Sequence, residues 1–297
     1  MTTKDDTSAT TAAVSIDSIV RTQGDFILGP ITLRVPLGSV VGFVGPNGSG
    51  KTTTIKSILG MVPIDSGSIE IVGGRPGANH DRIGVVLDSS FLVPDWTADQ
   101  AARALAPFYT RWDDAYFAQL LARFDIPLKT RAKDLSQGQS TKLALALALA
   151  LALAHRPELL ILDEPTSGLD PLARMDILDV FRGFMLEPDH SILFSTHITT
   201  DLEKIADYVH LLNDGTTAFE GALLDLTEQY GAVQGAIAGI SLEARQAVIG
   251  LRAHGDTYTG LIDMRDSPLF DNTTLIETPT LEAAVTCLGA TGKGAGQ

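Results

Sequence analysis

The chain has 297 residues, 44% of them hydrophobic, and its 36 Asp and Glu against 22 Lys and Arg give a formal net charge of −14. This length allows one large domain with a small appendage, and the acidic balance argues against a free-standing binder of nucleic acid or anionic membranes. The single cysteine, Cys287, excludes an internal disulfide and suits a reducing compartment.

The chain begins with a polar stretch and continues with strand patterns. Residues 1–13 are rich in Thr, Ser and Asp and lack an apolar core segment, so we expect a disordered tail and not a signal peptide. Residues 14–20, 31–35 and 68–72 contain alternating apolar positions. This alternation predicts strands of an antiparallel layer.

A glycine-rich loop follows the apolar run 40–44. The loop fits the pattern G-x-x-x-x-G-K-[ST] and reads Gly45-Pro46-Asn47-Gly48-Ser49-Gly50-Lys51-Thr52-Thr53. A buried strand, a loop whose backbone N–H groups surround an anion, and a helix N-terminus facing it together form a phosphate-binding loop. In such a loop Lys51 reaches the β- and γ-phosphates, and the Thr52 hydroxyl holds Mg²⁺. The sequence therefore predicts a nucleoside triphosphate site.

A helical region is predicted after the strand at residues 83–87. Residues 97–158 are mostly helical in pattern and include six consecutive Leu-Ala pairs over residues 143–154. Because Ala and Leu are strong helix formers, and leucine at every second position covers all sides of a helix, the tract predicts a buried core helix. It is also too short to cross a membrane.

Paired carboxylates end the next apolar strand, residues 159–163. A carboxylate at the C-terminal end of a parallel strand projects into the crevice where ligands bind. Asp163 is therefore a candidate for Mg²⁺ binding through the ion's water shell, and Glu164 for general-base activation of water.

Three further motifs identify a family. The run Leu135-Ser136-Gln137-Gly138-Gln139 resembles the signature motif of ATP-binding cassette (ABC) proteins. Ser167-Gly168-Leu169-Asp170 is similar to the family's D-loop, and Ser195-Thr196-His197 is similar to its switch histidine. The motifs stand in the family's order between residues 35 and 221, so the chain resembles an ABC transporter ATP-binding subunit.

The resemblance implies a fold and a mechanism. The expected fold is α/β, with a P-loop NTPase (RecA-like) core, an N-terminal antiparallel β layer and an inserted helical subdomain at about 97–158. The cassette would span residues 14–222, and residues 223–297 would form a small C-terminal extension. Two cassettes would sandwich two ATP molecules head to tail, with His197 and Lys51 of one facing the signature residues Ser136, Gln137, Gly138 and Gln139 of the other. Asp170 would line the dimer seam and help to place Glu164.

Three positions depart from the family pattern. Gln23 replaces the aromatic residue that commonly stacks on adenine, which predicts weak base selectivity, while Arg21 and Phe26 lie nearby. Asp88 stands where the family usually has glutamine, and could still ligate Mg²⁺. The signature-to-carboxylate spacing is longer than usual by about four residues, close to one helical turn of 3.6. We expect the extra turn to be absorbed at a helix end, the alternative being a displaced signature motif.

The leading hypothesis is an ATP-hydrolysing subunit of a two-component transporter at the cytoplasmic face of the membrane, held there by a separate permease. Asp88 and the phrase 109–113 resemble the branch that pairs with ABC-2/exporter-type permeases, so export is preferred. Residues from about 88 to 100, including Phe91, Leu92, Pro94 and Trp96, are the expected permease surface, although they could equally be core. The alternative is a soluble ABC ATPase acting on nucleic acid or ribosomes. That class generally has two cassettes or a long coiled coil, and this chain shows neither.

Overall fold

The computed structural model describes residues 12–87, 93, 95–134 and 137–290, and the side chains of residues 132 and 137–143 lie outside that description. The strands within these ranges are β1 Ala12–Gln23, β2 Phe26–Pro36, β3 Val40–Val44, β4 Ser66–Ile71, β5 Ile83–Val86, β6 Leu159–Asp163, β7 Ser191–Thr196, β8 Tyr208–Asn213, β9 Thr216–Ala222, β10 Tyr230–Ala236, β11 Ile249–His254, β12 Thr257–Asp263 and β13 Leu275–Glu277. The α-helices are α1 Lys51–Ile58, α2 Ala98–Leu105, α3 Asp114–Arg123, α4 Gln137–Leu153, α5 Pro171–Phe184, α6 Thr199–Leu202, α7 Leu223–Gln229, α8 Leu242–Ala247 and α9 Leu281–Leu288.

The central sheet has six strands in the order β5-β6-β7-β3-β8-β9. The first five are parallel, and β9 is an antiparallel edge strand. Successive residues of each inner strand point to opposite faces, so Phe43 packs on one face while Val44 packs on the other. Since both faces are covered, β3 and β6 are apolar along the unbroken runs 40–44 and 159–162.

An antiparallel layer covers one face of this sheet. Its order is β2-β1-β4, and its inward residues share a core with α1 and the central sheet. The predicted strands at 14–20, 31–35 and 68–72 all fall in this layer. The predicted tail is two residues too long, because Ala12 and Ala13 are already paired and buried in β1.

The opposite face packs against helices. The Leu-Ala tract forms most of α4, and its residues from Ala146 to Ala154 are all buried. Because the tract presents apolar side chains in every direction, α4 can pack simultaneously on β5, α2 and α3. The expectation of a buried core helix is therefore confirmed for the described side chains. No helix in the described ranges is both long and apolar enough to cross a bilayer.

Residues after 222 form a second antiparallel sheet, which the sequence reading missed. Its order is β11-β12-β10-β13, with a small core of its own around Tyr258. Helix α9 begins after Thr280, whose hydroxyl caps it by accepting a hydrogen bond from the backbone N–H of Ala283. One face of α9, with Leu281, Ala284, Cys287 and Leu288, joins the main core of the cassette.

Candidate nucleotide-binding and catalytic site

The three chemical motifs meet because β6, β7 and β3 are neighbours in the central sheet. Asp163 pairs with Ser195, and Val44 pairs with Thr196, so the three strands end level with one another. The P-loop after β3, the carboxylates at the end of β6 and His197 after β7 therefore share one edge. This is the edge at which ligands bind in open α/β sheets.

The P-loop depends on its glycines. Gly45, Gly48 and Gly50 have positive φ angles of 155°, 81° and 109°. A Cβ at Gly45 would lie 2.1 Å from the carbonyl oxygen of Leu212, so only glycine fits there. These backbone conformations turn the loop back on itself before α1 begins at Lys51.

Lys51 is directed inward. Its Nζ donates hydrogen bonds to the carbonyl oxygens of Gly45, at 2.7 Å, and Pro46, at 3.2 Å. Burial lowers the pKa of Lys51, and the negative charges of Glu164 and Asp163 oppose that shift. The ammonium group is thus enclosed by the loop whose phosphate ligand it is expected to contact.

Thr52 and Asp163 are joined across the site. The Thr52 hydroxyl donates to Oδ2 of Asp163 at 2.8 Å. The other oxygen, Oδ1, is buried and makes no hydrogen bond of ordinary geometry in the described part of the chain, although the Ser195 hydroxyl lies near enough to this carboxyl to oppose the rise of its pKa. Burial raises the pKa of Asp163. A hydroxyl and a carboxylate with an unpaired oxygen are ligands that suit Mg²⁺, so these two residues fit the ion that the sequence implies.

Glu164 is held by a cluster of donors. Its Oε2 accepts hydrogen bonds from the Thr196 hydroxyl at 3.2 Å and the His197 backbone N–H at 3.2 Å, and lies 2.8 Å from His197 Nδ1. The backbone of Glu164 has a φ of 52°, a left-handed conformation that non-glycine residues rarely adopt. Its N–H donates to the Ser195 carbonyl at 2.8 Å, which fixes this turn.

The remaining predicted residues lie farther from this cluster or outside the described residues. Asp170 caps α5, and its Oδ1 accepts from the backbone N–H groups of Leu172 and Ala173, both at 3.0 Å. Gln137, Gly138 and Gln139 lie in the first turn of α4, while Ser136 and Asp88 fall outside the described residues. Thr53, also predicted, is half-buried in α1.

At the expected adenine position, the side chain of Arg21 is already engaged. Gln23 ends β1 and pairs with Phe26 across a tight turn. Arg21 donates from Nη1 to the carbonyl oxygen of Pro63, so its guanidinium group is tied to the loop before β4. The Phe26 ring, in contrast, lies beside the P-loop, since a Cβ at Gly50 would be 3.4 Å from its Cζ.

Sequence reasoning missed several residues of the site. Thr196 was noted only as part of the histidine motif, yet its hydroxyl contacts Glu164. Arg252 and the exposed face of α9 line the same cleft as the P-loop and His197, with a volume of about 550 Å³. Nothing in the local pattern signals these contacts, because they arise only when the extension packs on the cassette.

Comparison with known proteins agrees with this geometry. The profile of the ABC transporter family matches residues 28–167. The chain is 32% identical to the ABC transporter ATP-binding protein YtrB of Bacillus subtilis, over 82% of this chain and 84% of that protein. It is also 32% identical to Nod factor export ATP-binding protein I of Rhizobium etli, over 73% of this chain and 70% of the relative. A solved structure of an ATP-binding subunit of an ABC transporter superposes with a TM-score of 0.64 at 28% identity, covering 73% of this chain and 92% of that one.

The chain belongs to the ATP-binding proteins of ABC transporters. It is accordingly an ATP-binding, ATP-hydrolysing subunit, and the expected fold class is confirmed. Proteins of this family dimerise through their cassettes and act with separate transmembrane permease components. The relative named for Nod factor export also confirms the resemblance to the exporter-type branch.

Proposed function

We propose that the chain powers export through a separate permease, by closing around two ATP molecules with a second cassette and reopening after hydrolysis. The supporting observation is the meeting of the P-loop, the Asp163–Glu164 pair and His197 at the level ends of β3, β6 and β7. The preference for export comes from the exporter-type relative. The chain would then work at the cytoplasmic face of the membrane.

In this proposal each residue has one task. The P-loop backbone and Lys51 bind the β- and γ-phosphates. Thr52 and Asp163 would hold Mg²⁺, which when bound offsets the negative charge of these phosphates. Asp88 would add a third ligand.

Glu164 accepts the proton of the attacking water. His197 and Thr196 hold Oε2 of that carboxylate, which leaves Oε1 to take up the proton. The side chains of the signature run 136–139 and of Asp170 act at the seam with the second cassette.

The first experiment is membrane co-purification of tagged Glu164→Gln protein with ATP, followed by mass spectrometry. This substitution should leave ATP bound but unhydrolysed and so trap the closed complex. Lys51→Ala, which removes the phosphate-binding ammonium group, is the matched control. A polytopic membrane protein recovered with Glu164→Gln and not with Lys51→Ala would support the transporter. Recovery of ribosomal or DNA-associated proteins alone would favour the soluble ATPase and overturn the proposal.

The permease surface gives a second test. Trp96 is 40% exposed just before α2, where the sequence predicts docking, while Phe91, Leu92 and Pro94 lie outside the described residues. We expect Trp96→Ala to weaken capture of the permease more than it weakens ATP binding. Phe108→Ala, at a side chain 69% exposed on the same helical region, is a control for the loss of any exposed ring. Equal capture of the permease by Trp96→Ala and the parent would exclude a role for Trp96.

A further inference from the structure

The C-terminal extension reaches the P-loop through α9. At its start, the backbone N–H of Leu281 donates to Oε1 of Glu203 at 2.7 Å. Glu203 is the residue immediately after the short helix α6, which follows His197. At its end, a Cβ on Gly289 would lie 3.8 Å from Cγ of Pro46 in the P-loop. Helix α9 therefore spans the edge of the site from the histidine side to the phosphate-binding loop.

The two faces of α9 are chemically different. Its core face is buried in the cassette, which fixes the helix in place. The opposite face carries Glu282, Val285, Thr286 and Gly289, spaced three to four residues apart, and these line the cleft with Asn47 and Gly48. The extension is thus one wall of the cavity above the P-loop.

Strand β11 supplies a cation to this wall. Its pairing is interrupted between Ile249 and Arg252 by a β-bulge, a feature that redirects side chains. Gly250 has a φ of 63°, and a Cβ there would lie 2.7 Å from Cα of Cys287, so only glycine allows β11 to approach α9 this closely. Arg252 consequently lines the cleft, exposed to solvent and without an ion pair among the described residues.

Apart from Arg252, the cleft is acidic. The other charged side chains of its lining are the acids Asp214 and Glu282, and His197 also lines it. A nucleoside triphosphate adds several negative charges, which both acids would repel. His197, which contacts Glu164, lines this cleft together with the P-loop residues Asn47 and Gly48, and Arg252 lines the same cleft.

We propose that Arg252 of the C-terminal extension is a binding residue for the γ-phosphate of the bound nucleoside triphosphate, so that the extension contacts the nucleotide directly. This inference rests on the proposed nucleotide site, which so far consists of the P-loop, the Asp163–Glu164 pair and His197, and adds the C-terminal extension to it. It predicts that the extension distinguishes the triphosphate from the diphosphate.

The test is the affinity of the full chain for ATP and ADP, measured by calorimetry in a Glu164→Gln background that prevents hydrolysis. Arg252→Ala should weaken ATP binding about five- to tenfold at low salt, and ADP binding less than about twofold, because a charge contact at a partly solvated site contributes about 1 kcal/mol. Arg252→Lys should retain most of the affinity. Glu282→Gln should change it in the opposite direction, since it removes a repelling charge. Arg245→Ala, an exposed arginine of the same extension that does not line the cleft, is the matched control.

The outcomes separate the two proposals. ATP affinity of Arg252→Ala within about twofold of the parent, or an equal loss for ATP and ADP, would overturn the inference while leaving the nucleotide site intact. Failure of the parent to bind either nucleotide would overturn the proposed function, and the inference with it. Reduced hydrogen exchange of residues 285–290 on addition of ATP, absent with ADP, would support a contact between α9 and the triphosphate.

Discussion

Replacement of Glu164 by glutamine tests the proposed chemistry at its centre. Glutamine keeps the length of the side chain, and its carbonyl oxygen can still accept from the Thr196 hydroxyl and the His197 backbone N–H. The substitution therefore removes the negative charge and the basicity while preserving the geometry. Removal of a general base slows a reaction by about 10²- to 10⁴-fold, and we expect the rate of ATP hydrolysis to fall within that range.

Binding of ATP should respond in the opposite direction. The carboxylate of Glu164 adds a negative charge next to Asp163, at the position where the triphosphate is expected. Two unit charges at 4 Å interact by about 1 kcal/mol in water and about 4 kcal/mol at an effective dielectric constant of 20. Loss of this repulsion should increase ATP affinity at least severalfold.

The assay combines steady-state phosphate release with equilibrium nucleotide binding. His197→Ala serves as a graded comparison, because it removes one contact of Oε2 and leaves the donors from Thr196 and the residue-197 backbone in place. It should lower the rate less than Glu164→Gln does. If Glu164→Gln retained more than about a tenth of the parental rate, the assignment of Glu164 as the general base would be refuted.

Three further predictions follow from local geometry. Gly45→Ala should abolish ATP binding and lower the unfolding temperature, because its Cβ would lie 2.1 Å from the carbonyl oxygen of Leu212. A Cβ at Gly48 would meet no atom within 4 Å, so Gly48→Ala should cost only the about 1–2 kcal/mol of stability that its φ of 81° imposes, and equal unfolding temperatures for the two variants would contradict this. Burial lowers the pKa of His210 to about 4. As the pH falls from about 6.5 toward 4, the unfolded chain therefore takes up a proton at His210 that the folded chain does not, and the free energy of unfolding decreases. Urea denaturation should show a decrease of about 3 kcal/mol over that window, which His210→Gln should remove. The affinity for GTP should lie within about tenfold of the affinity for ATP, since Gln23 has no ring to stack on the base and Arg21 is bound to the carbonyl oxygen of Pro63. A larger preference for ATP in competition binding would assign base recognition to another group, such as Phe26.

The sequence predicts the cassette well because its strands and loops have strong local signals. The fully apolar runs of β3 and β6 are typical of strands buried on both faces, as in a parallel sheet covered by helices. The P-loop is recognisable because its glycines occupy backbone conformations that other residues avoid. The contact between Glu164 and His197 has no local sequence signal, because 33 positions separate them in the chain.

The extension could not be predicted in the same way. Strands β10 and β12 contain glycine at three positions where a larger side chain would not fit. A Cβ would meet Met264 at Gly231, Tyr258 at Gly235 and Val248 at Gly260. The residue type at these positions is therefore fixed by the available space and not by hydrophobicity. The apolar alternation of these strands is correspondingly weak. The Thr280 cap of α9 is a local signal, whereas the contact of α9 with Pro46 depends on how the whole extension packs.

The backbone of Glu164 shows how the fold maintains a conformation that the residue itself disfavours. A left-handed φ of 52° costs a non-glycine residue roughly 1–2 kcal/mol, and an extended backbone would avoid that cost. Yet β6 ends at Asp163, whose pairing with Ser195 is set by the parallel register, and the next N–H donates to the Ser195 carbonyl at 2.8 Å. The chain therefore turns at Glu164, which brings its carboxylate to the residues that follow β7. The same ladder that aligns the strand ends thus places the carboxylate of Glu164, the proposed general base, and the strain is offset by the hydrogen bonds of Glu164 with β7 and His197.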